Sequence, residues 1–238
     1  MKALKLRASA VGRIMTEPKT IKEGPLSVGA KTYLRQLAAQ DILGIEFEIS
    51  GKELDKGIQV EDEAISLVGR VRGLEISKNT ERREDDYFTG ECDVFHLPTR
   101  EGRDTKCSWS AASFPISVID CEDKVYEYQM RTYMRLWDAP RWHVDYVLVD
   151  TPADLIRHEP LAMHIVSHLP EHHRVTTWTV ERDLAIEAKM VEKVKAARDY
   201  YAEVIAEFDR THRSPEELRE TLRIQAAARL EAVMKETA

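Results

Sequence analysis

The chain has 238 residues, of which 43% are hydrophobic and 32% are charged, and its formal net charge is −7. This length and composition suit one globular domain with a helical appendage and exclude a largely disordered chain. The longest apolar stretches fall far short of the roughly 20 residues that cross a bilayer, and no signal peptide opens the chain, so we expect a cytoplasmic protein without a membrane partner.

The first part of the chain shows three helical patterns. Residues 9–15 predict a short helix with Ser9 as its N-cap, and residues 26–43 carry apolar residues at helical spacing. A third helix is predicted over residues 55–71, with Ile58, Ile65 and Val68 on or near its buried stripe and Glu61 among them.

Strand patterns follow at residues 73–77, 86–97 and 102–110, and turn residues around Pro98–Thr99 make a hairpin of the last two. A helix over 123–137 and strands over 141–152 and 173–181 come next. Two long amphipathic helices are predicted over 182–208 and 215–235, and Ser214 and Glu217 form a capping box at the start of the second. This order predicts an α/β fold with a central mixed sheet flanked by helices and with long C-terminal helices.

An isolated aspartate, Asp93, interrupts the apolar run of the hairpin, and Asp104 and Lys106 follow on its second strand. Because residues i and i+2 of a strand face the same side, Asp104 and Lys106 point together, and Asp93 lies nearly opposite one of them. Two carboxylates at this separation need a cation between them, and Mg²⁺ typically takes one or two carboxylates. A surface hairpin with an ion pair of little energetic value remains the alternative.

Further features occur in a fixed order along the chain. Glu61 comes four residues after Gly57, Gln129 comes four residues before Tyr133 on a helix, and the segment LRASAVGRIM opens the chain. With Asp93 and the Asp-x-Lys segment, this order resembles the PD-(D/E)XK nucleases, in particular the RecB-like branch that contains lambda exonuclease and the YqaJ-type phage recombination exonucleases. The resemblance covers about residues 6–205. It implies a restriction-endonuclease-like nuclease domain over residues 1–210 and a C-terminal helical extension over 211–238.

The resemblance also implies a role for each residue of the motifs. Glu61 resembles the glutamate that reaches the metal directly or through water, Asp93 and Asp104 resemble the carboxylate ligands, and the carbonyl of Thr105 is a further ligand. Lys106 resembles the catalytic lysine. The remaining implied site residues are the glutamine-tyrosine pair, Gln129 and Tyr133, which faces the active centre, and Ser9 with Arg13 as DNA-binding residues. Alternatively, Glu61 is a solvated helix position, the glutamine and tyrosine are ordinary helix residues, and Ser9 is only a cap.

Two departures from the family pattern concern particular residues. The segment that holds Ser9 reads Arg-Ala-Ser where the family has Thr-Ala-Ser, and Cys92 precedes Asp93 where a small residue or proline is common. Neither change removes a ligand.

The function that the resemblance implies is a Mg²⁺-dependent DNA exonuclease, with Mn²⁺ as a substitute, that digests duplex ends in phage-type recombination or DNA processing. An endonuclease or nickase on the same fold and a non-catalytic DNA-binding protein are the alternatives. Expected partners are duplex DNA ends, a single-strand annealing recombinase and further copies of the chain, in the cytoplasm of a bacterial host if a phage encodes the protein.

Charge is unevenly distributed, with a net charge of +6 in residues 1–40 and −13 in the remainder. A local basic surface can contact DNA phosphates although the rest is acidic, because charges beyond about 8 Å are largely screened at physiological salt. A solvated helix surface explains the same pattern equally well.

Other candidate metal ligands and base-stacking groups favour ordinary structural roles. Three cysteines without C-x-x-C spacing predict reduced core thiols and cannot build a four-cysteine iron-sulfur cage. His164 and His168 have H-x-x-x-H spacing in the histidine-rich segment 158–173, but exposed loop histidines are favoured over a zinc site. Trp109 and Phe114 could stack on an unpaired base or pack in the core.

Overall fold

The computed structural model describes residues 4–47 and 50–236, with side chains described as far as residue 229. The described residues form seven strands: β1 (Leu6–Arg7), β2 (Arg82–Glu84), β3 (Phe88–Glu91), β4 (Val94–His96), β5 (Glu101–Cys107), β6 (Arg141–Val147) and β7 (Val175–Glu181). The α-helices in these ranges are α1 (Ala8–Met15), α2 (Val28–Leu43), α3 (Lys52–Arg72), α4 (Lys124–Trp137), α5 (Ala153–Ile156), α6 (Leu184–Thr211) and α7 (Pro215–Glu236). In this part of the chain, no helix is both long and apolar enough to cross a membrane.

The central sheet has four strands in the order β4-β5-β6-β7. The pair β5 and β6 is parallel and the other two pairs are antiparallel, so the predicted mixed sheet is confirmed. A second sheet has the order β1-β3-β2, with β1 parallel and β2 antiparallel to β3. The predicted hairpin is present, because β4 pairs with β5 from Val94 opposite Arg103 to His96 opposite Glu101.

The strand predicted over residues 86–97 is divided between the two sheets. Its two parts, β3 and β4, are separated by Cys92 and Asp93, whose carbonyl groups accept hydrogen bonds from Asn79. The backbone amide of Asn79 lies 2.7 Å from the Asp93 carbonyl, and its side-chain nitrogen lies 3.0 Å from the Cys92 carbonyl. These bonds take the two residues out of a continuous ladder and set Asp93 at a bend.

The prediction of a strand over residues 73–77 is wrong, because the chain reverses direction in this segment after α3. Gly73 adopts the left-handed conformation with φ of 64°, which suits a residue without a Cβ. The amide of Leu74 then donates to the carbonyl of Gly69 at 2.9 Å. The chain therefore turns back over the end of α3 and runs toward β2.

The predicted helices are present, with two corrections at single residues. Ser9 lies within the first turn of α1 and is not its N-cap, because the extended residue Arg7 pairs with Thr89 and the helix begins at Ala8. Ile65 and Val68 are buried on α3 as predicted, whereas Ile58 is 67% exposed.

Two of the apolar layers that hold the helices against the sheets involve α6 and α4. One joins α1, α2 and α6, whose buried residues Met190, Val194 and Ala197 follow one helical stripe. Another joins α4 to the central sheet through Met130, Trp137 and Trp142 and neighbouring residues. The first layer and the buried face of α6 confirm that α6 is amphipathic.

Helix α7 begins with the predicted capping box. The Ser214 amide donates to the Glu217 carboxylate at 2.8 Å, and the Glu217 amide donates to the Ser214 hydroxyl at 3.2 Å. Among its described side chains, Leu218, Leu222 and Ile224 are exposed. The division into residues 1–210 and 211–238 stays a prediction.

Candidate active site

Strand β5 and helices α3 and α4 surround a cleft of about 530 Å³. Six of the predicted site residues line this cleft: Glu61, Asp93, Asp104, Thr105, Lys106 and Gln129. They come from three elements and from the bend between β3 and β4, so the fold brings together residues that are up to 68 positions apart in the sequence.

Asp93 is held against β5 by a single residue. Its Oδ2 atom accepts hydrogen bonds from the backbone amide of Thr105 at 2.6 Å and from the Thr105 hydroxyl at 2.9 Å. Burial, followed by the negative charge of Asp104, raises the pKa of Asp93 to about 6. The site therefore places two carboxylates close enough to oppose each other's ionisation.

Asp104 is buried and is contacted from two sides. On one side, Gln129 Nε2 donates to Asp104 Oδ1 at 3.2 Å and to the Tyr133 hydroxyl at 3.1 Å, and that hydroxyl donates to the Glu91 carbonyl at 3.0 Å. On the other side, Lys106 Nζ lies 2.5 Å from Asp104 Oδ2. The predicted glutamine-tyrosine pair is thus connected to the central carboxylate.

Lys106 is a protonated neighbour of both aspartates. Burial alone would lower its pKa, but the charges of Asp104 and Asp93 outweigh burial and raise it. The ammonium also lies 4.7 Å from the centre of the Tyr126 ring, which is a cation-π distance.

Close packing of α4 against β3 fixes the position of this hydrogen-bonded chain. A Cβ atom added at Gly90 would lie 2.8 Å from a ring carbon of Tyr133, so a side chain there would push the tyrosine away. Glycine at this position of β3 allows the tyrosine ring, and with it Gln129, to approach the strand.

The cleft fits a hard divalent cation. Asp104 Oδ2 is fully buried and lies 2.5 Å from the Lys106 ammonium, with no other partner among the described residues. Two adjacent carboxylates, one of them with an oxygen paired only to an ammonium, are a suitable donor set for Mg²⁺, which keeps water for its remaining positions. Within the described ranges, no group of three or more His, Cys, Asp or Glu side chains is placed to hold a metal ion by itself.

Glu61 lines the same cleft but is engaged elsewhere. Its Oε2 atom lies 2.6 Å from Lys78 Nζ, in an ion pair that is partly exposed to solvent. Its part in metal binding stays a prediction. Sequence reasoning did not predict that Lys78 and Asn79 contact the site, because they lie in a loop that no local pattern connects to α3 or to the hairpin.

Ser9 and Arg13 lie in another groove, of about 1040 Å³, formed mainly by α1, α2 and the residues that follow α2. Among the described residues, this groove shares none with the carboxylate cleft. Both side chains are exposed, and the Arg13 guanidinium lies 5.1 Å from the centre of the Tyr33 ring. Their role in DNA binding therefore stays a prediction.

His164 corrects the expectation of exposed histidines, because it is buried in a cluster next to the cleft. Its Nδ1 atom lies 3.1 Å from the Thr151 hydroxyl, and its Nε2 atom lies 3.2 Å from the Glu159 carboxylate. Trp109 donates to the same carboxylate at 2.9 Å, and its ring packs between His164 and the Lys52 ammonium. Trp109 is therefore packed into the structure, and His164 holds the loop after α5.

The other histidines of this segment are arranged differently. His168, His172 and His173 are exposed, and residues 164–168 do not form the helical turn that a two-histidine zinc site requires. Cys92, Cys107 and Cys121 are free thiols, as predicted.

His164→Ala is expected to lower the free energy of unfolding by about 2–3 kcal/mol, because it removes a buried imidazole that packs against Trp109 and contacts Thr151 and Glu159. The matched change His168→Ala removes an exposed imidazole and should shift the unfolding midpoint in urea very little. Equal midpoints for the two variants would show that the buried contacts of His164 do not stabilise the fold.

A scan against protein-family models found no match, and a search of the curated proteins found none either. Among solved structures, a phage-related exonuclease from Haemophilus somnus 129PT is 36% identical, with a TM-score of 0.81, over 87% of this chain and 97% of that chain. LHK-Exo in complex with dAMP matches at 20% identity and a TM-score of 0.63, over 87% of this chain and 92% of that chain. The alkaline exonuclease LHK-Exo from Laribacter hongkongensis matches at 20% identity and a TM-score of 0.59, over 95% of each chain.

The likeness to LHK-Exo shows a common fold, and the likeness to the Haemophilus protein shows common ancestry over almost its whole length. The chain belongs to the phage-related exonucleases, the lambda exonuclease and YqaJ-type branch of the PD-(D/E)XK nucleases.

Proposed function

We propose that this protein is a DNA exonuclease that uses Mg²⁺, or Mn²⁺ in its place, to hydrolyse phosphodiester bonds from duplex ends. One observation carries the proposal: the half-buried Asp93 and the buried Asp104 carboxylates share a cleft with the Lys106 ammonium, in a chain that is 36% identical to a phage-related exonuclease. Asp93, Asp104 and the carbonyl of Thr105 are the proposed ligands, with Glu61 reaching the ion directly or through water.

The bound ion would neutralise negative charge on the phosphate and in the transition state. Lys106 has a separate task, because its raised pKa keeps it protonated beside the two aspartates. A protonated Nζ atom can donate hydrogen bonds that orient the attacking water or a phosphate oxygen.

The neighbours of Lys106 restrict where its ammonium can lie. Asp104 holds the Nζ atom, the Tyr126 ring covers one side, and Gln129 fixes the other oxygen of Asp104. The lysine is therefore preorganised, which favours a role in the chemical step.

The two alternatives differ from this proposal in what they require of the site. A non-catalytic DNA-binding protein has no need of two adjacent carboxylates of which one is fully buried, because their repulsion costs stability when no cation is bound. An endonuclease or nickase would use the same residues, and only the geometry of the substrate separates it from an exonuclease.

We expect the protein to degrade linear duplex DNA with Mg²⁺ and to leave covalently closed circles of the same sequence largely intact. The measurement is the release of labelled nucleotides from the linear DNA beside the loss of the closed circle on a gel. A circle with one nick is the control, because it offers the enzyme a break in one strand but no duplex end. Equal rates on linear and closed DNA would favour the endonuclease.

The setting that we propose is phage-type recombination or DNA processing in the cytoplasm of a bacterial host. A single-strand annealing recombinase and further copies of the chain are the proposed protein partners. Co-purification of the two proteins, and the mass of the nuclease in solution, would test these partners.

A further inference from the structure

The loop that connects α3 to β2 contacts two of the proposed metal ligands. After the reversal at Gly73 it places Lys78 against Glu61 and Asn79 against the backbone of Asp93. Two consecutive residues of one loop thus contact both the helix and the bend that line the cleft.

The two contacts differ in kind. Asn79 donates to the carbonyls of Asp93 and Cys92 and fixes the backbone at the bend. Lys78 makes an ion pair with Glu61 at 2.6 Å, in which the two side chains are 44% and 25% exposed. Exposed ion pairs contribute little to stability, so Glu61 can leave Lys78 for another cation at little cost.

The Lys78 ammonium lies in the negative field of several carboxylates at the cleft. The negative charges of Asp62 and Asp93 act on it in addition to that of Glu61. Lys106 is the corresponding cation on the inner side of the site, where it lies against Asp104. A divalent cation bound between Asp93 and Asp104 would repel the outer ammonium and attract the carboxylate that it holds.

We propose that Lys78 is an exchangeable counterion, which holds Glu61 in the free enzyme and competes with the divalent cation for this carboxylate. This inference rests on the proposed function, because it requires a metal site in the cleft. Lys78 is a positioning residue for Glu61. Removal of its charge should therefore strengthen metal binding.

The test is the affinity of the DNA-free protein for Mn²⁺, measured by electron paramagnetic resonance, which needs no catalytic activity. Lys78→Met keeps much of the apolar stem and removes the charge, and we expect it to bind Mn²⁺ about 3- to 10-fold more tightly than the wild type. Lys195→Met is the matched control, because Lys195 forms an exposed ion pair with Glu192 on α6, and its affinity should equal that of the wild type. Thermal unfolding of each metal-free variant checks that it is folded.

A double-mutant cycle with Glu61→Gln separates competition for Glu61 from a general effect of charge. In the Glu61→Gln background, Lys78→Met should change the affinity less than about twofold. An unchanged or weaker affinity in Lys78→Met alone, or a gain that persists in the Glu61→Gln background, would overturn the inference. A wild-type protein that binds no Mn²⁺ would instead reject the metal site of the proposed function and the inference with it.

Discussion

Asp104→Asn is expected to reduce Mg²⁺-dependent DNA hydrolysis by roughly three orders of magnitude or more, while the protein stays folded. The substitution keeps the size of the side chain and the oxygen that can accept from Gln129, but it removes the charge that attracts the cation and pairs with Lys106. Asp93→Ala should have a similar effect on activity, because it removes the other carboxylate.

The rate is measured in single-turnover experiments with labelled linear duplex, beside circular dichroism to confirm folding. Asp209→Asn, which changes an exposed aspartate on α6, controls for the loss of one negative charge. Activity near that of the wild type in Asp104→Asn would reject the assignment of the metal site.

Asp104→Asn should also alter the pH dependence of the free energy of unfolding in the absence of metal. Because the pKa of Asp93 is raised from 3.8 to about 6 in the folded protein, the folded state keeps a proton that the unfolded chain has already released between about pH 4 and 6. Stability therefore falls as the pH rises through this window. Urea unfolding in EDTA should show a smaller fall for Asp104→Asn, because the opposing charge is gone.

Lys106→Ala is expected to lower single-turnover cleavage by roughly two to four orders of magnitude at saturating DNA, with little change in metal or DNA binding. The reason is the position of its Nζ atom, which Asp104 and Tyr126 hold inside the cleft. Lys106→Arg should not restore the rate, since a guanidinium is a planar fork where the site holds a compact ammonium.

These two variants distinguish a catalytic lysine from one that only binds phosphate. For a phosphate-binding charge, arginine would recover most of the activity, and alanine would weaken DNA affinity in a salt-dependent way. Substantial recovery by Lys106→Arg would contradict the catalytic role.

The hairpin and its site could be predicted because their signals are local. Turn residues around Pro98 set the pairing of β4 with β5, and strand alternation then placed Asp104 and Lys106 on one side. The spacing of four residues between Gln129 and Tyr133 was enough to put both on one face of α4, where they are hydrogen-bonded. Long helices with capping residues, such as Ser214 and Glu217, were predictable for the same reason.

The features that sequence reasoning missed depend on contacts between distant segments. The bend at Asp93 is made by Asn79, and the buried His164 contacts Thr151 and Glu159, none of which changes the local pattern. Ile58 follows the apolar spacing of α3 but lies beside the open cleft, where no element covers it fully. An apolar residue at a functional cleft has the same local signature as one in the core.

The most direct test of the central claim is the dependence of end-directed hydrolysis on a divalent cation at the Asp93–Asp104 site. Wild-type protein freed of metal with EDTA is mixed with end-labelled linear duplex, and Mg²⁺ is then titrated in, with Asp104→Asn in parallel. The account predicts no nucleotide release by either protein before Mg²⁺ is added and a saturable release by the wild type alone afterwards. Undiminished release by the wild type in EDTA, or equal release by the two proteins with Mg²⁺, would contradict it.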